Sequence, residues 1–411
     1  MLLYNIGIRL YECSAAMAGL WSSKARKWRM GRQGLLETIT QSMKPHERRV
    51  WIHAASLGEF EQGRPVIEQL KRAYPDIKVV LTFFSPSGYE IRKDYPNADY
   101  VFYLPTDTPR NVAHFLDAIK PEVAIIIKYE FWLGYLKALR QRNIPTYLIS
   151  SIFRRNSIFF SPWGGAWRKA LTTYRGIYVQ DEASQGLLKE LGVDSIVAGD
   201  TRFDRVRDIA RAAKVLPLVE RFRGKSPLFV AGSTWGRDEE LIIDLANRHP
   251  DIKFIIAPHE ICEARMCHIE THIAGGVTRY TTHNDDSLAS SQCLILDTIG
   301  LLSSVYRYAT WAYIGGGFGR GIHNTLEAAT FAIPIAFGPR YQKFKEARDM
   351  IALGAAHSVS ETKELEAWFA PLTPNSAAWH EASSAAGDYT AKNCGATARI
   401  VEALGEHLTS K

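Results

Sequence analysis

The sequence predicts an α/β protein made of two successive parallel-sheet domains, and three observations carry that reading. Short apolar runs alternate with helix-length segments along nearly the whole chain, which is the pattern of βαβ units whose strands are covered on both faces. The alternation breaks once, in a charged helical stretch from Arg205 to Lys225 that ends at Ser226-Pro227. The length of 411 residues exceeds what one core usually holds, so two domains of roughly 200 residues are expected.

Val50–Ala55, Lys78–Phe84, Asp99–Leu104, Val123–Ile127, Pro145–Ser150, Gly176–Val179 and Ser195–Ala198 read as strands of the first domain. Helices are expected over Phe60–Arg72, from Tyr89, and over 108–119. The second set of strands is Leu228–Ala231, Lys253–Ala257, Gly276–Tyr280, Cys293–Leu296, Trp311–Ile314 and Ile333–Phe337. The organisation that follows is an N-terminal helix and basic segment (1–34), a first Rossmann-like domain (35–205), a linker (206–226) and a second Rossmann-like domain (227–376). C-terminal helices (377–411) can cross back to the first domain. Ligands of such sheets bind at the carboxyl ends of the strands, so the expected site is a cleft between the domains.

Composition is that of a globular protein, 46% hydrophobic and 23% charged, with a net charge of +7. Lys24, Arg26, Lys27, Arg29 and Arg32 occur together without an acid. Charge alone is compatible with anionic lipid head groups, phosphorylated substrates or nucleic acid, but no recognition motif supports nucleic acid. Five scattered cysteines are a reduced, cytoplasmic pattern. His259, Cys262, Cys267 and His268 fit no closed zinc spacing, so no metal is expected. Residues 1–21 are apolar but interrupted by Arg9 and Glu12, too polar for a spanning helix of ~20 apolar residues. With Trp21, Trp28 and the basic run beside it, the segment fits a helix lying in a membrane interface. A plain first helix docked on its own domain fits the same residues.

Two stretches carry chemistry. Tyr313-Ile-Gly-Gly-Gly-Phe-Gly-Arg-Gly-Ile-His-Asn-Thr-Leu-Glu-Ala-Ala-Thr330 reads as a strand, a glycine-rich turn and a helix opening at His323-Asn324. Backbone N–H groups of Gly315, Gly316, Gly317, Gly319 and Gly321, with the helix start, can close on a phosphate, and Glu327 can take a diol such as a ribose. The spacing is neither the dinucleotide fingerprint nor the P-loop, and a turn that packs helix against strand is the alternative to a phosphate site. His53-Ala-Ala-Ser-Leu-Gly-Glu59 ends the first strand. Gly58 would permit a sharp turn and close approach of a substrate there. Glu59 is placed either to accept the proton of an attacking hydroxyl or to act as a helix-start acid near Ser56.

Taken in order, Trp51-Ile-His-Ala-Ala-Ser-Leu-Gly-Glu59, Tyr129-Glu-Phe-Trp132, Gly199-Asp-Thr-Arg-Phe-Asp204, Gly232-Ser-Thr-Trp235 and the Gly315–Glu327 block resemble the Kdo transferases of lipopolysaccharide assembly. The likeness runs from about residue 48 to 350. It implies a GT-B glycosyltransferase, two Rossmann-like domains facing a central cleft, with an N-terminal membrane-associating helix. The implied reaction moves 3-deoxy-D-manno-octulosonate (Kdo) from CMP-Kdo to a lipid A precursor with inversion. It needs no metal or cofactor beyond the donor substrate, and occurs on the cytoplasmic side of the inner membrane.

By the same resemblance Glu59 is the general base, and Glu130 and Arg202 stabilise the transition state. Ser56, Gly58, Ser233, Thr234, Pro258, His259, Ile299, Gly300, Leu301, Gly317, Asn324, Thr325, Leu326 and Glu327 bind substrate. Ser233 and Thr234 equally suit a capped helix start before Asp238, and Arg202 an ion pair with Asp200 or Asp204. The chain departs from the family pattern at Arg202 (usually lysine), Leu301 (usually glutamate) and Leu133-Gly134 (usually Pro-Asn). Phe153, Phe159, Phe160, Trp163 and Trp167 crowd a segment with Arg154, Arg155, Arg168 and Lys169, suited either to acyl chains or to a core loop with a basic face. Another GT-B enzyme acting on a UDP- or GDP-sugar, transferase or epimerase, is the alternative. A catalytically silent membrane-associated protein of the same fold is a third reading.

Overall fold

The β-branched and aromatic runs become strands where their side chains can be covered on both faces. In the computed structural model, which describes residues 2–409, seven of them form one parallel sheet. They are β1 (Arg49–Ala54), β2 (Lys78–Phe83), β3 (Tyr100–Tyr103), β4 (Val123–Ile127), β5 (Thr146–Ser151), β6 (Gly176–Val179) and β7 (Ile196–Val197), ordered β3-β2-β1-β4-β5-β6-β7. Side chains of β1 alternate between two cores. Val50 and Ile52 join one with Val66, Ile67, Leu70, Ile400 and Leu404, and Trp51 joins the other with Phe115, Tyr135 and Leu139. Strand order reverses between β1 and β4, which makes the carboxyl ends of these two strands the expected ligand position.

The second sheet holds β8 (Leu228–Thr234), β9 (Lys253–Pro258), β10 (Val277–Arg279), β11 (Cys293–Ile295), β12 (Trp311–Ile314), β13 (Ile335–Phe337) and β14 (Ala356–Ser358), also parallel. Its order is β10-β11-β9-β8-β12-β13-β14, with the reversal between β8 and β12. β14 is an edge strand of three residues, too short to stand out in the sequence.

The chain divides into two compact units: residues up to Asp204 together with those from Cys394 onward, and Arg205–Asn393. The division falls inside the helix Thr201–Arg211, and residues 206–226 are largely helical, ending with Pro217–Arg223 in the second unit. Of the C-terminal helices, Ala377–Lys392 belongs to the second unit and Ala396–Leu408 to the first. Asp204 fixes the start of the latter by accepting the Gly395 and Thr397 N–H groups at 2.6 and 2.7 Å.

At the N-terminus lie α1 (Leu2–Ala18), α2 (Ser23–Met30) and α3 (Leu35–Ser42), followed after β1 by α4 (Leu57–Ala73). α1 attaches to the first unit through buried Ile8, the rings of Tyr4 and Tyr11, and polar groups. The Tyr4 hydroxyl donates to Asp107 Oδ2 at 2.6 Å and accepts the Leu133 N–H, and Thr106 donates to Glu12. Its solvent-facing stripe is apolar: Leu3, Ile6, Leu10 and Met17 are exposed, Leu3 at 84%, and exposed Leu20 and Trp21 follow it, Trp21 at 82%. A surface helix ordinarily has the opposite polarity. Arg32 is part of the fold, because it donates to the Trp28, Phe84 and Leu104 carbonyls and lies over the Trp28 ring. Lys24, Arg26, Lys27 and Arg29 are exposed. Among the described residues no helix is long and apolar enough to cross a membrane.

Candidate functional site

In the first unit the two strands at the reversal each end in a carboxylate. β1 runs through Ala55 and Ser56 into α4, whose first turn holds Glu59, and Glu59 Oε2 accepts the Ala55 N–H at 2.6 Å. Ser56 occupies the N-cap position without a side-chain capping bond. Burial raises the Glu59 pKa above its usual range, the negative charge of Glu130 adds to this, and the Ala55 N–H, His53 and Lys128 oppose it. Burial therefore outweighs the helix start in setting the ionisation of Glu59.

β4 ends at Ile127, and Lys128 takes a left-handed conformation, φ 59°, turning the chain sharply into Tyr129-Glu130. Glu130 Oε2 accepts from the Trp132 indole at 2.5 Å and lies 3.4 Å from His53 Nε2. His53 is fully buried, and its Nδ1 contacts the Thr82 hydroxyl (2.9 Å) and carbonyl (3.1 Å). Trp51 Nε1 donates to that hydroxyl at 2.9 Å. A buried line of groups thus runs from β1 and β2 to Glu130, a residue positioned well enough to meet developing positive charge.

The reversal point of the second sheet gathers a different set. Ser233 at the end of β8 has φ 54° and forms a bulge between Gly232 and Thr234; strained non-glycine backbone of this kind concentrates at functional sites. Trp235 Nε1 donates to His323 Nε2 at 3.1 Å, and the His259 ring stacks on both, at 4.8 and 4.4 Å between centroids. An indole N–H is donor-only, so His323 Nε2 is the acceptor nitrogen. Burial and the neighbouring His259 hold the His323 pKa below its usual value. Asp238 ties the group together, accepting the Gly316 and Trp235 N–H groups and the Tyr313 hydroxyl, each at 2.9 Å. Asn324 Nδ2 donates to Glu327 Oε1 at 3.0 Å. Burial raises the Glu327 pKa, and Asn324 and Arg205 pull it down.

Several sequence expectations change here. The helix after the glycine turn is only Leu326–Ala329, so it adds little dipole to a phosphate site. Much of the glycine content is packing. A Cβ on Gly315 would meet Ser233 O at 2.2 Å, one on Gly317 would meet Gly338 Cα at 2.5 Å, and Gly316 and Gly321 have φ of 93° and 137°. Four of the turn's N–H groups, from Gly315, Gly316, Gly319 and Gly321, already have partners inside the protein. Gly58 lies within the first turn of α4, and a Cβ there would meet open space; the backbone does not require glycine, although the site is accessible.

The remaining expected residues are spread around the second unit. Thr234 is buried and bonded to Glu239, and Thr325 and Leu326 are buried too. Pro258 ends β9 and brings His259 to the stack. Ile299 and Gly300 sit on an exposed loop leading to Leu301, which precedes the helix Leu302–Val305. In the first unit Arg202 pairs with Asp200 on its own turn, its side chain at 2.7 and 2.8 Å and its N–H at 2.9 Å. Phe153 and Phe159 are core residues packed on Phe131, and Arg168 bonds the Phe159 and Ser161 carbonyls. The rest of that segment is nearer the surface: Arg154, Arg155, Trp163 and Lys169 are exposed, and Phe160, Trp167 and Arg168 half-buried. Trp132, His53, Asp238 and His323 carried no assigned role in the sequence, because each acts through a partner brought in by the fold.

Residues 27–205 match the family described as 3-deoxy-D-manno-octulosonic-acid transferase (kdotransferase). A 3-deoxy-D-manno-octulosonic acid transferase from Haemophilus influenzae is 22% identical over 404 residues, covering 95% of this chain and 94% of its own. One from Bordetella pertussis is 28% identical over 386 residues, covering 87% of each. In fold the chain is similar to UDP-GlcNAc 2-epimerase from Neisseria meningitidis bound to UDP-GlcNAc, with a TM-score of 0.61 at 17% identity over 87% of this chain and 100% of that one. The fold is of the GT-B type, and the chain carries a glycosyltransferase domain of the Kdo transferase family over residues 27–205 and is similar to Kdo transferases over nearly its full length.

Proposed function

We propose that this protein transfers Kdo from CMP-Kdo to a hydroxyl of a lipid A precursor, with inversion and without a metal ion, at the cytoplasmic face of the inner membrane. The observation that carries the reading is the placement of Glu59 and Glu130 at the reversal of the first sheet, within the residues that match the family. The acceptor hydroxyl needs a base on the side opposite the leaving CMP. Glu59 supplies it: its carboxylate takes the hydroxyl proton as the new C–O bond forms and the bond to the CMP phosphate breaks. Glu130, held by Trp132 and His53, stabilises the positive charge that develops at the anomeric carbon.

The second unit holds the nucleotide. The Trp235–His259–His323 stack offers a flat surface and a fixed N–H on His323 Nδ1, and Glu327 takes the ribose. Arg202, engaged by Asp200, serves the Kdo carboxylate as a donor whose orientation its neighbour sets. Incubation with CMP-Kdo and a tetraacylated lipid A precursor is expected to give products heavier by whole Kdo residues on mass spectrometry. An unmodified acceptor alongside intact CMP binding would overturn the acceptor assignment, and absence of CMP binding would overturn the donor.

The reversed polarity of α1 supports the location. Its exposed apolar stripe, next to Lys24, Arg26, Lys27 and Arg29, suits the boundary between anionic head groups and acyl chains. Replacing Leu3, Leu10 and Met17 together by glutamate is expected to lower partition into phosphatidylglycerol vesicles by on the order of tenfold or more. Unchanged partition in a vesicle flotation assay would refute the interfacial role.

A further inference from the structure

A groove of about 480 Å³ runs between α1, α2 and the residues that follow β2. Tyr11, Ala15 and Ala18 of α1 form one wall, Ala25 and Trp28 of α2 another, and Phe84-Ser85-Pro86 the floor, with Lys24 also on its lining. Small side chains on both helices make the space, on a face of α1 different from the outward stripe of Leu3, Ile6, Leu10 and Met17. The volume lies in the range of small-molecule sites.

Two independent observations say what the groove is for. The first is Trp28. It is only 8% exposed, yet its Nε1 has no hydrogen-bond partner, although a buried indole N–H ordinarily finds one. With the Trp28 ring in its wall beside Ala15, Ala18 and Ala25, the groove is predominantly apolar and suits a hydrocarbon chain. The second is where the floor leads. The Phe84 ring packs on Trp132 at 4.8 Å, and Trp132 holds Glu130. The Ser85 N–H donates to the Ala55 carbonyl at 2.7 Å, and the Ala55 N–H holds Glu59. The groove therefore ends one residue away from each candidate catalytic carboxylate.

We infer that the groove between α1 and α2 is an acyl-chain subsite, in which one chain of the lipid acceptor lies while its sugar head reaches Glu59 and Glu130. This rests on the acceptor reading given above and adds to it the position of the chain. Lys24 lies where it can meet an acceptor phosphate. The exposed stripe of α1 faces the membrane, and the groove behind it receives a chain drawn out of the leaflet.

The test fills the groove with the double substitution Ala15→Phe, Ala25→Phe in the full-length chain. Wild type is expected to prefer a tetraacylated acceptor over the same sugar stripped of its acyl chains. Because each buried methylene counts, that preference in kcat/KM should fall on the order of tenfold or more in the filled variant. A preference equal to wild type would overturn the subsite. A second measurement does not depend on transfer. A monomeric lyso-phosphatidylglycerol with a brominated acyl chain should quench tryptophan fluorescence saturably, and the quenching should be lost in Trp28→Phe and in the filled variant. Quenching by this probe with no transfer to any acceptor would leave the subsite standing and overturn the reaction, whereas transfer without Trp28 quenching would do the reverse.

Discussion

Glu59→Gln lowers kcat by about 10²- to 10⁴-fold, the usual contribution of a general base, while the protein stays folded and CMP binding is retained. Glutamine can still accept the Ala55 N–H that the carboxylate holds at 2.6 Å, so the start of α4 is preserved and the loss reports chemistry. Activity within tenfold of wild type would make Glu59 a helix-end acceptor and nothing more. The pH profile supplies an independent check. The base works only when unprotonated, and burial with the Glu130 charge raises its pKa above 4.5. kcat/KM should therefore fall as pH drops through that raised value. Glu130→Gln removes a negative neighbour, which eases ionisation of Glu59 and moves the acid limb to lower pH. Residual activity of Glu130→Gln with the limb unmoved would assign the limb to another group.

The second large effect is expected at Asp238, in the second unit. Its carboxylate is fully buried and accepts from Gly316 N, Trp235 N and the Tyr313 hydroxyl. Asp238→Ala leaves those donors without a partner in a dry environment, at a cost of about 3 kcal/mol or more. Because Trp235 orients His323 and Gly316 opens the glycine turn, nucleotide affinity should fall along with stability. Asp238→Asn keeps an oxygen for the two N–H groups and should lose less of both. Denaturant unfolding and CMP titration of the two variants measure this; equal losses for both would mean that the charge, and not the hydrogen bonding, is what matters.

The alternation of apolar runs and helices was enough to read both sheets except the short edge strand β14, because parallel strands covered on two faces are continuous hydrophobic segments with little else to confuse them. The order of the strands was not readable, and it is the order that makes the ends of β1 and β4, and of β8 and β12, the expected ligand positions. Glu59 and Glu130 were found through a pattern of motifs. His53 was hidden inside a strand, where a histidine among apolar residues gives no sign of its partners. The glycine block misled in one respect. Its count suggested a broad phosphate cradle, whereas backbone contacts of Gly315 and Gly317 with neighbouring strands account for much of it. Lys128 and Ser233 adopt left-handed backbone that no residue preference announces.

The way α1 is fastened has a consequence for how the enzyme would be handled and regulated. Asp107 accepts the Gly134 and Tyr135 N–H groups at the start of the helix Leu133–Gln141, and Tyr4 completes that arrangement by bonding both Asp107 and the Leu133 N–H. The helix so capped begins directly after Glu130 and Trp132. The element proposed to meet lipid thus also serves as the keystone of the loop that carries Glu130. Trimming the first turns of the chain would loosen Glu130 and, on the interfacial placement proposed for α1, also weaken membrane binding, so a shortened enzyme would understate the activity. Conversely, a bilayer that steadies α1 would sharpen the site, and turnover would respond to the lipid surface even when the acceptor is offered free in solution.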